Sequence, residues 1–251
     1  DKELNARASF SRSMVERASR MISVIVPCLN ESEYIEQLLE SLLGQSAKNF
    51  ETVIVDSDSD DDTPGVVRRY ATQHSLNIKL LHNPRRTIPT SLNLGIQNAS
   101  GEIIVRLDAH SCPASNYIEQ CLLALRDSGA DVVGGAWDVK PGDGTMIAAA
   151  IAVAVSSPLG AGDAAYRLNR NQAQEVDTVP FGCFRRQIWE DVGGFNEELF
   201  TNEDYEFYLR IRQRGGRIYF DPRIRCEYYA RLTFRHLPNS IGVMGGGRRK
   251  C

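Results

Sequence analysis

Short apolar runs alternate with amphipathic helical stripes through the first half of this chain, and that alternation limits its folds more than any other feature. Ser23–Val26 is an apolar run stopped by Pro27. After it, Ile35, Leu38, Leu39, Leu42 and Leu43 fall at i, i+3, i+4, i+7 and i+8, one face of a helix, and Asn30 is placed to cap it. Thr52–Val55 is a second run, leading into the acidic stretch Asp56–Asp62, and Thr63-Pro64 carries the signature of a helix start. Ile78–Leu81 reads as a third strand, Ser91–Asn98 as a helix and Ile103–Leu107 as a fourth strand. Pro113 then opens a helix with Ile118, Cys121, Leu122 and Leu125, and Asp131–Trp137 holds a fifth strand.

Continuous apolar strands separated by helices predict an α/β fold, a mostly parallel central sheet with helices on both faces. Ligands of such sheets bind outside the carboxyl ends of the strands. That rule selects Asn30 and Glu31 after strand one, Asp56 at the end of strand two, and Asp108 and His110 after strand four, and it predicts that they share a crevice.

Several ligand classes fail on residue chemistry. The turn Pro27-Cys28-Leu29-Asn30-Glu31 lacks the glycines a dinucleotide needs to approach the backbone. Gly245-Gly246-Gly247 runs into Arg248 without a Walker ending. Asp56, Asp58 and Asp60 have calcium-loop spacing, but Asp61 and Val67 stand where glycine and glutamate are required. An aspartate-nucleophile phosphatase needs a lysine near the phosphate, and Lys140 is the one of five lysines placed for that. Asp60 and Asp62 read as a solvated turn, whereas Asp56 at the strand end does not.

Two clusters retain chemistry. Asp108-Ala109-His110 offers a carboxylate and an imidazole to one divalent ion, a donor pair that leans toward manganese over magnesium. Asn202-Glu203-Asp204 opens a helix. Asn202 is a cap candidate and the carboxylates favour the positive end of the helix dipole; alternatively one of them is a general base. Spacing alone leaves both readings open.

Charge is unevenly spread. From Thr201 onward there are 11 Lys+Arg against 5 Asp+Glu in a chain whose net charge is −3. The total gives no attraction to nucleic acid, while the basic end suits a phosphate-bearing ligand or an anionic membrane surface. The six cysteines form no CxxC pair and read as free thiols of a reducing compartment. Met146–Val155 is about half a bilayer span and reads as a buried or interfacial helix.

Six motifs in order resemble glycosyltransferase family 2 and its GT-A fold: Ser23–Glu31, Val53–Asp61, Asn93–Ile96, Gly101–His110, Gly193–Phe195 and Asn202–Asp204. Asp108-Ala-His110, Ser156–Gly160 and Val176–Thr178 look like the succinoglycan-type exopolysaccharide transferases of bacteria. The resemblance spans about residues 21–235. It sets off a poorly structured extension at 1–20 and a basic tail at 236–251, and implies a native chain that continues into membrane helices.

The resemblance implies inverting transfer of a sugar from a nucleotide-sugar, usually a UDP-sugar, to a saccharide or lipid-linked saccharide acceptor in polysaccharide biosynthesis, at the cytoplasmic face of the membrane. Pro27, Leu29 and Glu31 would hold base and ribose, Asp56 the base edge, and Arg86 would lie near the nucleotide. Asp108 and His110 would hold ribose and a Mn2+ or Mg2+ ion, His110 standing where the family has a second aspartate. Asp204, or else Glu203, would be the catalytic base. Trp137, Ser156–Gly162 and Phe181–Arg186 fall in the acceptor half, although Trp137 and Trp189 also suit a core. Two rivals stay open: a catalytically silent nucleotide- or glycan-binding module, and a nucleotidyltransferase, whose glycine-rich phosphate loop is missing here.

Overall fold

The computed structural model describes residues 21–141 and 171–230. The expected extension at 1–20, the apolar Met146–Val155 run, Ser156–Gly162, Cys251 and the tail at 236–251 lie outside the described residues.

The described residues run β1 (Ile22–Cys28), α1 (Ile35–Leu43), β2 (Phe50–Asp56), α2 (Thr63–Gln73), β3 (Ile78–His82), α3 (Ile88–Asn98), β4 (Ile103–Arg106), β5 (Ser111–Pro113) and α4 (Tyr117–Ser128). They continue with β6 (Val132–Pro141), β7 (Gln174–Glu175), β8 (Cys183–Arg185), α5 (Arg186–Val192), α6 (Glu203–Gln213) and β9 (Ile218–Ala230). One sheet holds the strands in the order β3-β2-β1-β4-β8-β6-β9-β5, with β7 on β9. The α/β sheet is parallel from β3 to β4. β8 then enters antiparallel between β4 and β6, and β6 and β9 pair in parallel.

Strand periodicity divides the core into two layers. Val24, Val26, Cys28, Ile54 and Val105 face α1, α2 and α4. Ile25, Val53, Val55 and Ile104 face Leu92 and Ile96 of α3, Val192 of α5 and Phe207 of α6. Successive strand side chains point to opposite faces, so apolar residues at nearly every position require helices on both sides.

The motifs that carry the family resemblance are partly packing devices. A Cβ on Gly95 would lie 2.7 Å from Ile25 Cγ2, so the glycine lets α3 lie close on the sheet. Asn93, on the same helix, donates to the Phe195 carbonyl at 2.9 Å and to Glu197 Oε1 at 3.0 Å. Its Oδ1 accepts from the Phe195 N–H at 2.8 Å and the Trp189 indole N–H at 3.0 Å. Gly193 and Gly194 turn here at φ 85° and 77°, a region costly for other residues. Asn93 and the glycine turn therefore interlock and direct the chain toward α6.

Three local expectations are corrected. Asn30 does not cap α1, which starts at Ile35; it takes φ 55° and its side chain accepts the Asp60 N–H at 2.8 Å. Asn202 occupies the N-cap position of α6 but makes no side-chain cap bond, because its backbone is left-handed at φ 62°. The helix start expected at Thr63-Pro64 is met: Thr63 is the first residue of α2, with Asp62 at the cap position. Pro113 ends β5, and α4 begins at Tyr117: three residues without periodicity become a strand because β9 pairs with them.

Candidate active site

The carboxyl ends of β1, β2 and β4 meet as the strand-end rule requires, and two adjacent loops are bonded to each other. The Asn30 N–H donates to Ser59 Oγ at 2.9 Å, the Glu31 N–H to Thr63 Oγ1 at 2.8 Å, and the Ser32 N–H to Asp61 Oδ2 at 3.0 Å. Asp61 is thus a joint between two loops. Burial opposes its ionisation, but hydrogen bonds from Thr63 and Ser32 outweigh that and bring its pKa to about 2.

Asp56 is buried beside Cys28, and its Oδ2 accepts the Ser59 N–H at 3.3 Å. It borders a cleft of about 330 Å³ that also has Asp58, Pro64, Arg68, Leu81 and His82 in its walls. Pro27 is buried within β1, and Leu29 is half-buried in the turn that follows. Arg86 sits on the β3–α3 loop at φ 56° and reaches across to Asp60 at 2.9 Å and Asp58 at 3.3 Å. Asp60 and Asp62 are exposed, Asp62 pairing with Arg69 at 2.9 Å.

The centre of the crevice is organised by a residue that sequence reasoning passed over. Arg106, the last residue of β4, has a side chain only 7% exposed and contacts three carboxylates: Asp108 at 3.3 Å, Glu203 at 3.0 Å, and Asp204 in direct contact. A guanidinium presents several donors in one plane and can serve several carboxylates at once. Its surroundings hold its pKa well above the ordinary value, the three carboxylates overcoming the opposing effect of burial. The signal was present in the sequence, a charged residue inside the apolar run Ile103–Leu107.

Glu203 and Asp204 form the first turn of α6, anchored by the buried Phe207 and Tyr208. The left-handed Asn202 reverses the chain just before them, so both carboxylates meet Arg106 at the helix's positive end. They differ in access: the Asp204 side chain is 21% exposed and that of Glu203 9%. Burial, reinforced by Glu203 and Asp108 and opposed by Arg106, raises the Asp204 pKa to about 7.

His110 and Glu31 form a second unit. His110 Nδ1 lies 3.0 Å from Glu31 Oε1, and Nε2 lies 2.9 Å from the Tyr228 hydroxyl. Glu31, expected at the base and ribose, therefore holds an imidazole. Burial lowers the His110 pKa against the pull of Asp108, which favours the neutral ring. A carboxylate only accepts, so Nδ1 donates to Glu31 and Nε2 carries the lone pair. Tyr228 lies face to face with Trp137, ring centroids 4.3 Å apart, and Trp137 also touches Phe181 at 4.8 Å. Trp137 and Trp189 both pack against the core, as partly buried residues.

No group of three or more His, Cys, Asp or Glu side chains is arranged for a metal among the described residues. Asp108 and His110 nevertheless suit a divalent cation completed by phosphate oxygens, because a carboxylate orienting an imidazole through Nδ1 is the usual support of a metal-binding histidine.

Comparison with known proteins identifies the family and the fold. The model of glycosyl transferase family 2 matches residues 23–193. The chain belongs to glycosyl transferase family 2. The succinoglycan biosynthesis protein ExoA of Rhizobium meliloti is 30% identical to this family 2 chain over 238 residues, 94% of this chain and 71% of that protein. A dolichyl N-acetyl-alpha-D-glucosaminyl phosphate 3-beta-D-2,3-diacetamido-2,3-dideoxy-beta-D-glucuronosyltransferase of Methanococcus voltae is 28% identical over 221 residues, 85% of this chain and 68% of that protein.

Among solved structures, the mannosyltransferase PcManGT of Pyrobaculum calidifontis, in complex with GDP-Man and Mn2+, matches with TM-score 0.67 and 26% identity, over 86% of this chain and 59% of that one. S. aureus TarS 1–349, in complex with UDP-GlcNAc, shares the fold with TM-score 0.67 and 23% identity, over 85% of this chain and 59% of that one. The family 2 chain has the GT-A fold and spans about three fifths of these solved chains. No helix among the described residues is long and apolar enough to cross a membrane.

Proposed function

We propose that this family 2 glycosyltransferase moves a sugar, with inversion, from a nucleotide-sugar donor, a UDP-sugar first, to a hydroxyl of a saccharide or lipid-linked saccharide in polysaccharide biosynthesis. The observation that carries the reading is Arg106, which joins the donor-side carboxylate Asp108 to the helix-borne carboxylates Glu203 and Asp204 in one buried cluster.

In this reading Asp204 is the base, because it is the more accessible of the two and its pKa of about 7 suits proton transfer near neutrality. The acceptor oxygen forms its bond to the anomeric carbon while the bond to the diphosphate oxygen breaks. Asp204 takes the hydroxyl proton, and the electron pair leaves with the nucleoside diphosphate. Arg106 holds Asp204 in place and keeps its carboxylate available. Pro27, Leu29 and Asp56 line the nucleoside end, with Arg86 at the rim. Asp108 and His110 would hold Mn2+ or Mg2+, which when bound stabilises the leaving diphosphate.

ExoA, by its name, serves succinoglycan biosynthesis, and the Methanococcus voltae relative acts on a dolichyl-linked sugar phosphate. Both names support a glycan acceptor, and the second one a lipid-linked acceptor.

Thermal unfolding with UDP, GDP, CDP and ADP, each with and without Mn2+, tests the donor. A ligand at a hundredfold excess over its Kd stabilises by about 2.7 kcal/mol. A UDP-specific shift enlarged by Mn2+ is the expected result. A GDP-specific shift reassigns the donor, and no shift with any nucleotide overturns the donor site. Nucleotide binding without sugar transfer to any glycan acceptor identifies a silent binding module.

A further inference from the structure

We propose that Tyr228 gates His110: its hydroxyl and the divalent cation compete for one lone pair, and Glu31 is the residue that fixes this lone pair on Nε2. The inference rests on the donor-site reading above and deepens it.

Three strands' ends build the device. Glu31 follows β1, His110 lies between β4 and β5, and Tyr228 belongs to β9, where it stands opposite Ser111 of β5. The Glu31 carboxylate takes the Nδ1 proton at 3.0 Å, which leaves Nε2 as the imidazole's only acceptor. That nitrogen faces the Tyr228 hydroxyl at 2.9 Å, so the O–H donates to it. A metal ion needs the same electron pair, and the two cannot hold it together.

The phenol is well placed to report its own displacement. Its ring lies parallel to Trp137 within 2° at 4.3 Å, and its edge meets the His110 ring at 4.8 Å. Trp137 and Tyr228 are on neighbouring strands, with Trp137 opposite Cys226, two residues from Tyr228 and on the same face. A shift of the phenol away from His110 therefore changes the environment of one of the chain's two tryptophans. The other, Trp189, donates its N–H to Asn93 and packs in the other core layer.

The gate has a functional consequence. While the Tyr228 hydroxyl donates to it, the lone pair of His110 is closed to a cation, so loading of the cation requires displacement of the Tyr228 side chain.

The experiment titrates Mn2+ into the full chain with saturating UDP, reading free Mn2+ by electron paramagnetic resonance and Trp137 by its emission, in a Trp189→Phe background. Removal of the competing hydroxyl by Tyr228→Phe is expected to tighten Mn2+ binding by roughly two- to tenfold, the worth of one hydrogen bond. Glu31→Gln is expected to weaken it by roughly ten- to a hundredfold, as loss of a ligand's orienting partner does. Mn2+ is expected to change Trp137 emission in the Tyr228 protein.

Equal Mn2+ affinity of the Tyr228→Phe variant and its parent, with UDP bound by both, overturns the gate and leaves the donor reading standing. Unchanged Trp137 emission on Mn2+ binding overturns it as well, without requiring any variant at Tyr228 to fold. Failure of the parent protein to bind UDP overturns the donor reading, and the gate with it.

Discussion

Burial pushes Asp204 toward neutrality while Arg106 pulls it back toward the anion, and the balance near pH 7 has consequences for rate and for stability. As a base, Asp204 works only when ionised, so kcat/KM is expected to fall about tenfold per pH unit below pH 7. Asp204→Asn is expected to lower kcat by roughly 10²–10⁴-fold with the circular dichroism spectrum unchanged. Stability runs in the opposite sense. The folded-state pKa lies above the ordinary value of 3.8, so the folded protein holds this proton more tightly than the unfolded chain. The resulting stabilisation is complete below the unfolded pKa and is lost as pH rises through about 7. Asparagine does not titrate. Urea unfolding at pH 5 and pH 8 should therefore show the variant gaining on the parent protein at the higher pH. Arg106 explains why so much charge is tolerated here: breaking a buried ion pair by removing one partner costs about 3–5 kcal/mol, and this guanidinium serves three carboxylates.

At the scale of elements, the turn between α5 and α6 is held by α3 through Asn93. Asn93→Ala removes bonds to the Phe195 backbone, Trp189 and Glu197 together. A loss of about 2–3 kcal/mol is expected in urea unfolding, because buried backbone groups of Phe195 are left without partners. Trp189 emission should change with it, and turnover should fall because this turn feeds the helix that carries Asp204. The elements differ in how readable they were. β1 to β4 and α1 to α4 announce themselves through apolar runs and helical stripes, which depend only on residues two to four apart. β5 and β8 are three residues each, and they exist through pairing with β9, β4 and β6. The helix caps misled for a related reason: Asn30 and Asn202 have cap chemistry, but loop geometry placed both in left-handed turns.

At the scale of the molecule, the start of α6 and the loop before it expose apolar side chains, with Arg212 lying over the Tyr205 ring at 5.9 Å. Phe200 is 84% exposed, and Tyr205 and Leu209, four apart on α6, are 48% and 37% exposed. They adjoin the helix that carries Asp204, in the part of the chain where basic residues exceed acidic ones. This combination suits the interface of an anionic membrane, where apolar insertion and charge attraction act together. The protein is expected to float with phosphatidylglycerol vesicles at low salt and to be released by salt. Phe200→Ser should reduce flotation without altering the UDP-induced thermal shift. Absence of flotation removes the membrane assignment, and equal flotation of both proteins removes Phe200 from the contact.

Much of this protein could be read from the order of its residues. The alternating elements, the two-sided core and the polar strand ends follow from short-range periodicity and from a general rule about open sheets. Asp56, Asp108 and His110 at those ends, and Asp204 at the start of α6, are the residue types from which nucleotide, metal and proton chemistry is proposed. Which side chain meets which was another matter. Arg106 on Glu203 and Asp204, and His110 between Glu31 and Tyr228, are pairings across long stretches of chain, created when β8 inserts beside β4 and β9 returns along β5 and β6. Such contacts depend on how whole strands close on one another and on which charges become buried together. That is decided by packing in three dimensions and leaves no local pattern to read.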